Sequence, residues 1–214
     1  VTNAAVVDMT QRDNTPHLFM SGLIEGCVES GRDMTAGGSL WGATPILPCG
    51  LATAPNSLAA AKKLVFEEQK PSLAELQAAQ DADFTGEEGE RIQKLLLAAP
   101  KYGNDDDYAD EVMTRTTALI CDEIERFKDI DGRPYTSMIL TLGGTIPHGW
   151  KTGATADGRK ATTPVSDSMS PVNGPDTEGP TAVVLSASRV DQTRVLEGMS
   201  LHLKVQKNSF GLGE

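Results

Sequence analysis

Strand-forming stretches are few in this chain and fall in its last third. Ser137 to Leu142 (SMILTL) and Thr181 to Leu185 (TAVVL) are rich in strand formers, and from Met199 to Val205 apolar residues alternate with Ser200, His202 and Lys204. Three strands have little to pair against, and a sheet that small leaves an open edge of unpaired backbone N–H and C=O groups. Residues 143 to 180, between the first two candidates, are dense in Gly, Pro, Asp, Ser and Thr. A structureless connection of that length in a compact domain usually lines a site.

Helical punctuation dominates before that point. Residues up to Leu51 read as loop-rich, with one short apolar helix candidate from Leu18 to Ile24 and a glycine-dense loop from Gly37 to Gly50 that passes close to other backbone. Asn56 is a candidate N-cap for a helix to Gln69, closed by Pro71. Ser72-Leu73-Ala74-Glu75 and Thr85-Gly86-Glu87-Glu88 each spell a capping box. A longer helix is expected from Tyr108 to about Phe127, with Ala109, Val112, Met113, Thr116, Leu119, Ile120 and Ile124 at helical spacing and Asp131-Gly132 turning the chain after it.

The chain has 214 residues, 39% of them hydrophobic and 23% charged, with 19 basic residues against 30 acidic ones. A net charge of −11 repels phosphate backbones and anionic lipid, so neither nucleic acid nor membrane is expected as a partner. No apolar run is long enough to span a bilayer, and no basic region followed by an apolar one opens the chain. Cys27, Cys49 and Cys121 form no C-x-x-C pair, which fits a reducing, cytoplasmic setting and disfavours a zinc site. The chain begins at Val1 and stops at Glu214 just after an expected strand, as a piece of a longer protein would.

Three strings invite chemistry. The acids of Asn104-Asp105-Asp106-Asp107 lack the alternating oxygens and sixth-position glycine of a calcium loop, and they sit where a helix begins, where carboxylates cap free N–H groups. Gly149 to Lys160 lacks the Gly-Lys-Ser/Thr order of a phosphate loop; Asp157-Gly158 marks a turn, and Arg159 is expected to pair with a carboxylate inside the fold. Gly26-Cys27-Val28-Glu29 offers a thiol beside a base. His17, His148 and His202 are too far apart in sequence to suggest a metal cluster or a triad.

Six strings in order, CVESGRDMTAGG from Cys27, NSLAAAKKLVFEE from Asn56, PKYGNDDDYAD from Pro100, GATADGRK from Gly153, PVSDSMSP from Pro164 and GPTA from Gly179, resemble the glycyl-radical enzymes of the pyruvate formate-lyase-like family. The resemblance implies an α/β fold, a helix-rich part of a ten-stranded α/β barrel made of two five-stranded halves. It also implies a radical mechanism under anaerobic conditions. A radical S-adenosylmethionine activase takes hydrogen from a glycine near the C-terminus of the whole protein. The radical passes to a cysteine in the barrel, and that thiyl radical attacks a small-molecule substrate. A homodimer is expected of the full-length protein.

Gly-Cys-Val-Glu also surrounds the radical cysteine in many members, which would make Cys27 the thiyl site and Glu29 its base. The residues from Ser30 to Gly38 resemble instead a downstream family segment whose cysteine carries no radical. The radical cysteine is therefore expected upstream of Val1, and no catalytic residue is expected within the chain. The family's Arg-Val-x-Gly-Tyr string is absent from Leu201 to Glu214, and Gly211 and Gly213 are no substitutes, so residues 1 to 214 read as barrel with the glycyl-radical domain expected downstream. A strand ending in Gly143-Gly144-Thr145-Ile146-Pro147-His148-Gly149 before the long loop resembles a segment that approaches the barrel interior, where Thr145, Ile146, Pro147 and His148 are expected to meet substrate. Ala156 before Asp157 and the Leu40-Trp41 pair depart from common family residues and leave the subfamily open. The reaction could be that of a formate acetyltransferase, a diol dehydratase or amine lyase, an arylacetate decarboxylase, or a synthase of the benzylsuccinate or alkylsuccinate type that adds hydrocarbons to fumarate. The competing class is a non-catalytic binding or scaffold domain.

Overall fold

The computed structural model describes residues 2–141 and 143–203. They fall into two compact units, one running to Ile46 and including Ile120–Ser137, the other made of Leu47–Leu119 and the described residues from Met138 onward.

In the first unit, α1 (Thr2–Asn14), α2 (Leu18–Ser21) and α3 (Cys27–Ser30) precede two short parallel strands, β1 (Thr44–Ile46) and β2 (Tyr135–Ser137). Thr44 lies opposite Tyr135 and Ile46 opposite Ser137. The glycine-dense stretch does approach backbone closely: a Cβ on Gly38 would stand 2.0 Å from the Arg32 carbonyl oxygen, so no larger residue fits there. It is not all loop, however, because β1 lies within it. Carboxylates organise the turns. Asp33 accepts from the Thr35 hydroxyl and amide at 2.6 and 2.9 Å and from the Ser21 hydroxyl at 2.7 Å. These bonds, Thr35's first, hold its pKa down at about 2. Asp129 gathers the Asp131-Gly132 turn, accepting from the amides of Asp131 and Arg133, each at 2.9 Å.

In the second unit, α4 (Thr53–Ala61) runs on as a wider π-helical turn (Lys62–Glu67). It is followed by α5 (Leu73–Asp81), α6 (Gly86–Ala98) and α7 (Asp107–Glu125), whose residues to Leu119 belong to this unit. The apolar stripe of α6, Gly89, Ile92 and Leu96 at intervals of three and four, faces Leu64, Leu76, Ala79 and Phe84 in the main core. Next come α8 (Thr145–Lys151) and α9 (Gly179–Ser188).

Several expectations change. Thr181–Leu185 is helical, not a strand: Gly179-Pro180 starts α9, and its buried residues Ala182, Val183, Ser186 and Ala187 repeat with helical period, which outweighs the β-branched composition. Among the described residues from Ser137 to Thr141 only Ser137 lies in a strand, since β2 ends there. Ile139 makes one isolated parallel bridge to Met199, so the pairing expected between these segments is reduced to a point. Leu142, Val205, Gly211 and Gly213 lie outside the described residues. Asn56 is not an N-cap: α4 starts three residues earlier, and the buried Asn56 carboxamide oxygen accepts from the Tyr102 amide at 2.9 Å.

The two capping boxes diverge. Ser72 Oγ accepts from the Glu75 amide at 3.3 Å while Glu75 Oε2 accepts from the Ser72 amide at 2.8 Å, closing the box on α5. Thr85 makes no cap to α6; its hydroxyl donates back to the Ala82 carbonyl at 2.7 Å, and Glu88 is taken by Arg91 at 2.6 Å. Ser72→Ala is accordingly expected to cost about 1 kcal/mol and Thr85→Ala less than about 0.5 kcal/mol. Urea unfolding of the two variants checks this, and equal costs would contradict it.

Candidate functional site

The four residues expected to meet substrate form the first turn of α8 rather than the end of a strand. Thr145 is half-buried, and Ile146, Pro147 and His148 are exposed. They carry a hydroxyl, two apolar side chains and an imidazole at successive positions of the helix start. Gly149 explains how α8 is seated: a Cβ there would stand 2.3 Å from the Thr163 carbonyl oxygen, so the helix lies directly on the returning loop.

That loop, residues 152 to 165, leaves the C-terminus of α8 and comes back along it, ending where the Val165 amide donates to the Thr145 carbonyl at 3.2 Å. Side chains of α5 and α6 and their connection fasten its outer side. Gln80 donates to the Ala154 carbonyl at 3.1 Å, Gln93 donates to the Gly158 carbonyl at 2.9 Å, and Asp83 accepts from the Ala161 amide at 2.7 Å. Inside lies Arg159, which is buried. The expected carboxylate partner is not what it binds. Its guanidinium donates to the carbonyl oxygens of Thr152 (3.2 Å), Lys160 (3.0 Å) and Thr163 (2.6 Å), and to that of Gly153. Asp157, the neighbouring acid, instead accepts from the Thr155 hydroxyl at 2.5 Å and from the Arg159 amide at 3.2 Å. Burial pulls the Arg159 pKa down, and Asp157 and Asp83 offset this through space.

Beside the loop, a cleft of about 1130 Å³ is lined by Lys101, Asn104, Asp157, Arg159 and Glu178 among others. Lys101 caps the end of α6, donating from Nζ to the carbonyls of Leu96 (2.5 Å) and Ala99 (3.0 Å). Asn104 accepts from the amides of Thr177 (2.8 Å) and Glu178 (3.2 Å). Of the acids after it, Asp106 caps the helix start as expected, accepting from the Tyr108 amide at 2.9 Å, whereas Asp105 and Asp107 pair with Arg189 instead. Among the described residues no group of three or more His, Cys, Asp or Glu is arranged to hold a metal.

Sequence reasoning missed a second cleft of about 420 Å³, lined by Ser166, Asp167, Ser170, Asp176 and His202 among others. His202 Nδ1 lies 2.9 Å from Asp167 Oδ2, and the His202 amide donates to Ser170 Oγ at 2.9 Å. Burial raises the Asp167 pKa, but hydrogen bonds from Ser168, His202 and Thr141 bring it below its ordinary value. Nothing in the sequence links two residues so far apart; the alternation around His202 was the one available signal.

Cys27 and Glu29 are in the first unit. The thiol is buried at the start of α3, and Glu29 Oε2 accepts from the Gly26 amide at 3.0 Å, so the carboxylate completes a helix cap.

The family model for Pyruvate formate lyase-like proteins matches residues 1–149, and the model for Glycine radical matches residues 165–213. The chain belongs to the pyruvate formate lyase-like family. It is 36% identical over 207 residues to the probable dehydratase YbiW of Escherichia coli (strain K12), covering 94% of this chain and 26% of that protein. It is 33% identical over 205 residues to the (2S)-3-sulfopropanediol dehydratase of Klebsiella oxytoca, covering 93% and 25%. Among solved structures, the hydroxyproline dehydratase of Clostridioides difficile superposes with a TM-score of 0.86 at 35% identity, over 92% of this chain and 25% of that one. A glycyl radical enzyme from Archaeoglobus fulgidus gives 0.87 at 31%, over 94% and 26%. The chain thus spans about a quarter of the length of the curated relatives it matches. The Glycine radical match corrects one expectation: that domain does not lie wholly downstream, since part of it, from residue 165, is in this chain. The second cleft lies in that part and the candidate substrate residues lie in the other.

Burial lowers the Lys101 pKa from 10.5 to about 8, with Asp157 opposing. Between those two values the unfolded chain holds more protons than the folded one, so stability rises as pH climbs from about 8 towards 10.5. Relative to Lys101→Met, the native chain is expected to gain on the order of 2 kcal/mol over that range. Denaturant titrations at several pH values check this, and parallel pH profiles would contradict it.

Proposed function

We propose that the whole protein, of which this chain is a part, is a glycyl-radical enzyme that eliminates water from a small, hydroxylated organic molecule. The observation that carries this reading is the identity of 33–36% to dehydratases across most of the chain. The sum of the reaction on a vicinal diol is R–CHOH–CH2OH giving R–CH2–CHO and water, with no external oxidant or reductant. In this reading the described part adds to a ten-stranded α/β barrel, and Thr145, Ile146, Pro147 and His148 stand on the wall of the substrate pocket. Thr145 and His148 would hold substrate hydroxyls, while Ile146 and Pro147 would exclude water beside them. The thiyl cysteine is taken to lie outside this chain, with Cys27 and Glu29 as structural residues. The radical glycine also lies outside it, because the Arg-Val-x-Gly-Tyr string is missing. A radical S-adenosylmethionine activase installs the radical. The enzyme is proposed to work as a homodimer in an anaerobic cytoplasm; no helix of the described residues is long and apolar enough to cross a membrane.

A second reading is C–S cleavage, favoured by 40% identity over 137 residues, 64% of this chain, to the isethionate sulfite-lyase of Bilophila wadsworthia. Decarboxylation of an arylacetate rests on the 30% identity to an indoleacetate decarboxylase, and neither fumarate addition nor acyl transfer has a specific observation behind it.

The full-length protein, activated anaerobically, is to be offered glycerol, 1,2-propanediol, trans-4-hydroxy-L-proline, isethionate and indoleacetate. Aldehyde or imine formation from one of the first three is expected; sulfite from isethionate or carbon dioxide from indoleacetate would replace the dehydratase reading. In the same assay Cys27→Ala is expected to keep at least about a third of the native rate, within the range of a structural substitution. Complete loss of turnover with an undiminished glycyl-radical signal would make Cys27 the thiyl carrier.

A further inference from the structure

We infer that Arg159 is a positioning residue for substrate binding: it fixes the placement of α8, and with it Thr145 to His148, relative to the α5–α6 core. The inference rests on the reading that those four residues meet substrate.

The geometry behind it is a loop with two limbs joined by one guanidinium. The outgoing limb leaves α8 at Thr152 and Gly153, whose carbonyls accept from Nη2 of Arg159. The returning limb carries Lys160 and Thr163, whose carbonyls accept from Nη1. Nε reaches the Thr155 hydroxyl at 3.2 Å, between them. The planar fork of Arg can serve both limbs at once, whereas a lysine ammonium is a single point on a flexible stem. The returning limb then touches α8 at two places, under Gly149 at Thr163 and at Thr145 through the Val165 amide.

The loop is itself anchored by Gln80, Asp83 and Gln93. The packing also admits little give: a Cβ on Gly158 would stand 2.8 Å from the Leu97 side chain. α8 therefore inherits its position from the α5–α6 core through the loop, and Arg159 closes the loop's two limbs on each other. Arg159 is buried, and among the described residues no carboxylate hydrogen-bonds to its guanidinium. Its burial costs desolvation that an apolar residue of similar volume would avoid, and its Nη1 and Nη2 donors are directed at the carbonyls of both limbs.

The test uses the full-length protein carrying Arg159→Met or Arg159→Lys. Hydrogen exchange followed by mass spectrometry reads the placement of α8 without any substrate. At least tenfold faster exchange is expected at the Thr152, Thr155 and Val165 amides in both variants, with α6 within twofold of the native rate. Acceleration spread evenly over the second unit, no acceleration at α8, or restoration by lysine would each overturn the inference.

Kinetics supply the readout that a merely structural residue would not move. With whichever of glycerol, 1,2-propanediol or trans-4-hydroxy-L-proline is turned over, KM is expected to rise at least tenfold, while kcat per glycyl radical stays within threefold. An unchanged KM overturns the inference. His148→Ala, run in parallel, separates the two ideas. An unchanged KM in that variant removes α8 from the substrate pocket, and with all three compounds inert the dehydratase reading fails. In either case the exchange data still decide whether Arg159 sets α8.

Discussion

Ser166 and Thr53 exchange hydrogen bonds across more than a hundred residues of chain. Ser166 Oγ accepts from the amides of Ala52 and Thr53 at 2.8 and 3.1 Å, and Thr53 Oγ1 accepts from the Ser166 amide at 3.0 Å. Two residues on, Ser168 and Thr141 repeat the arrangement, each amide donating to the other's hydroxyl at 2.7 and 3.1 Å. Ser170 then receives the His202 amide. Described strand pairing in the second unit amounts to one bridge, so its buried backbone groups need other partners. Hydroxyls supply them. A Ser-x-Ser-x-Ser run thereby ties the start of α4, the segment before α8 and the segment before residue 204 to a single short length of chain.

This constraint places the two matched family regions against each other within the second unit. Ser166 to Ser170 lies in the Glycine radical region, whereas Thr53 and Thr141 lie in the Pyruvate formate lyase-like region. Buried cations follow the same principle as the hydroxyls. Lys101 and Arg159 each bind backbone carbonyls rather than carboxylates, so their charge serves to collect chain ends. Such groups are costly to bury and strongly directional once buried, which makes them determinants of geometry more than of net stability.

Legibility in the sequence followed the range of the interactions. The capping box at Ser72, the helix start at Asp106 and the amphipathic stripe of α7 depend on neighbours within one or two turns, and those were readable. The same rule misread Thr85, where Arg91 competes for Glu88. It misread Thr181–Leu185 as well, where tertiary burial sets the period. The candidate substrate residues were found through resemblance to a family, with the wrong local structure, because the helical turn of α8 depends on the loop lying beneath Gly149. The pairing of Asp167 with His202 and the carbonyl partners of Arg159 were not readable, although Asp167 and Arg159 lie in recognisable strings, because the fold alone decides which groups meet.

The central claim is that paired hydroxyls hold the second unit together where a sheet would otherwise do so. A double-mutant cycle on Thr53→Val and Ser166→Ala, read by denaturant unfolding, tests it most directly. A coupling free energy of about 1 kcal/mol or more between the two sites is predicted, whereas additivity within about 0.5 kcal/mol would contradict the account.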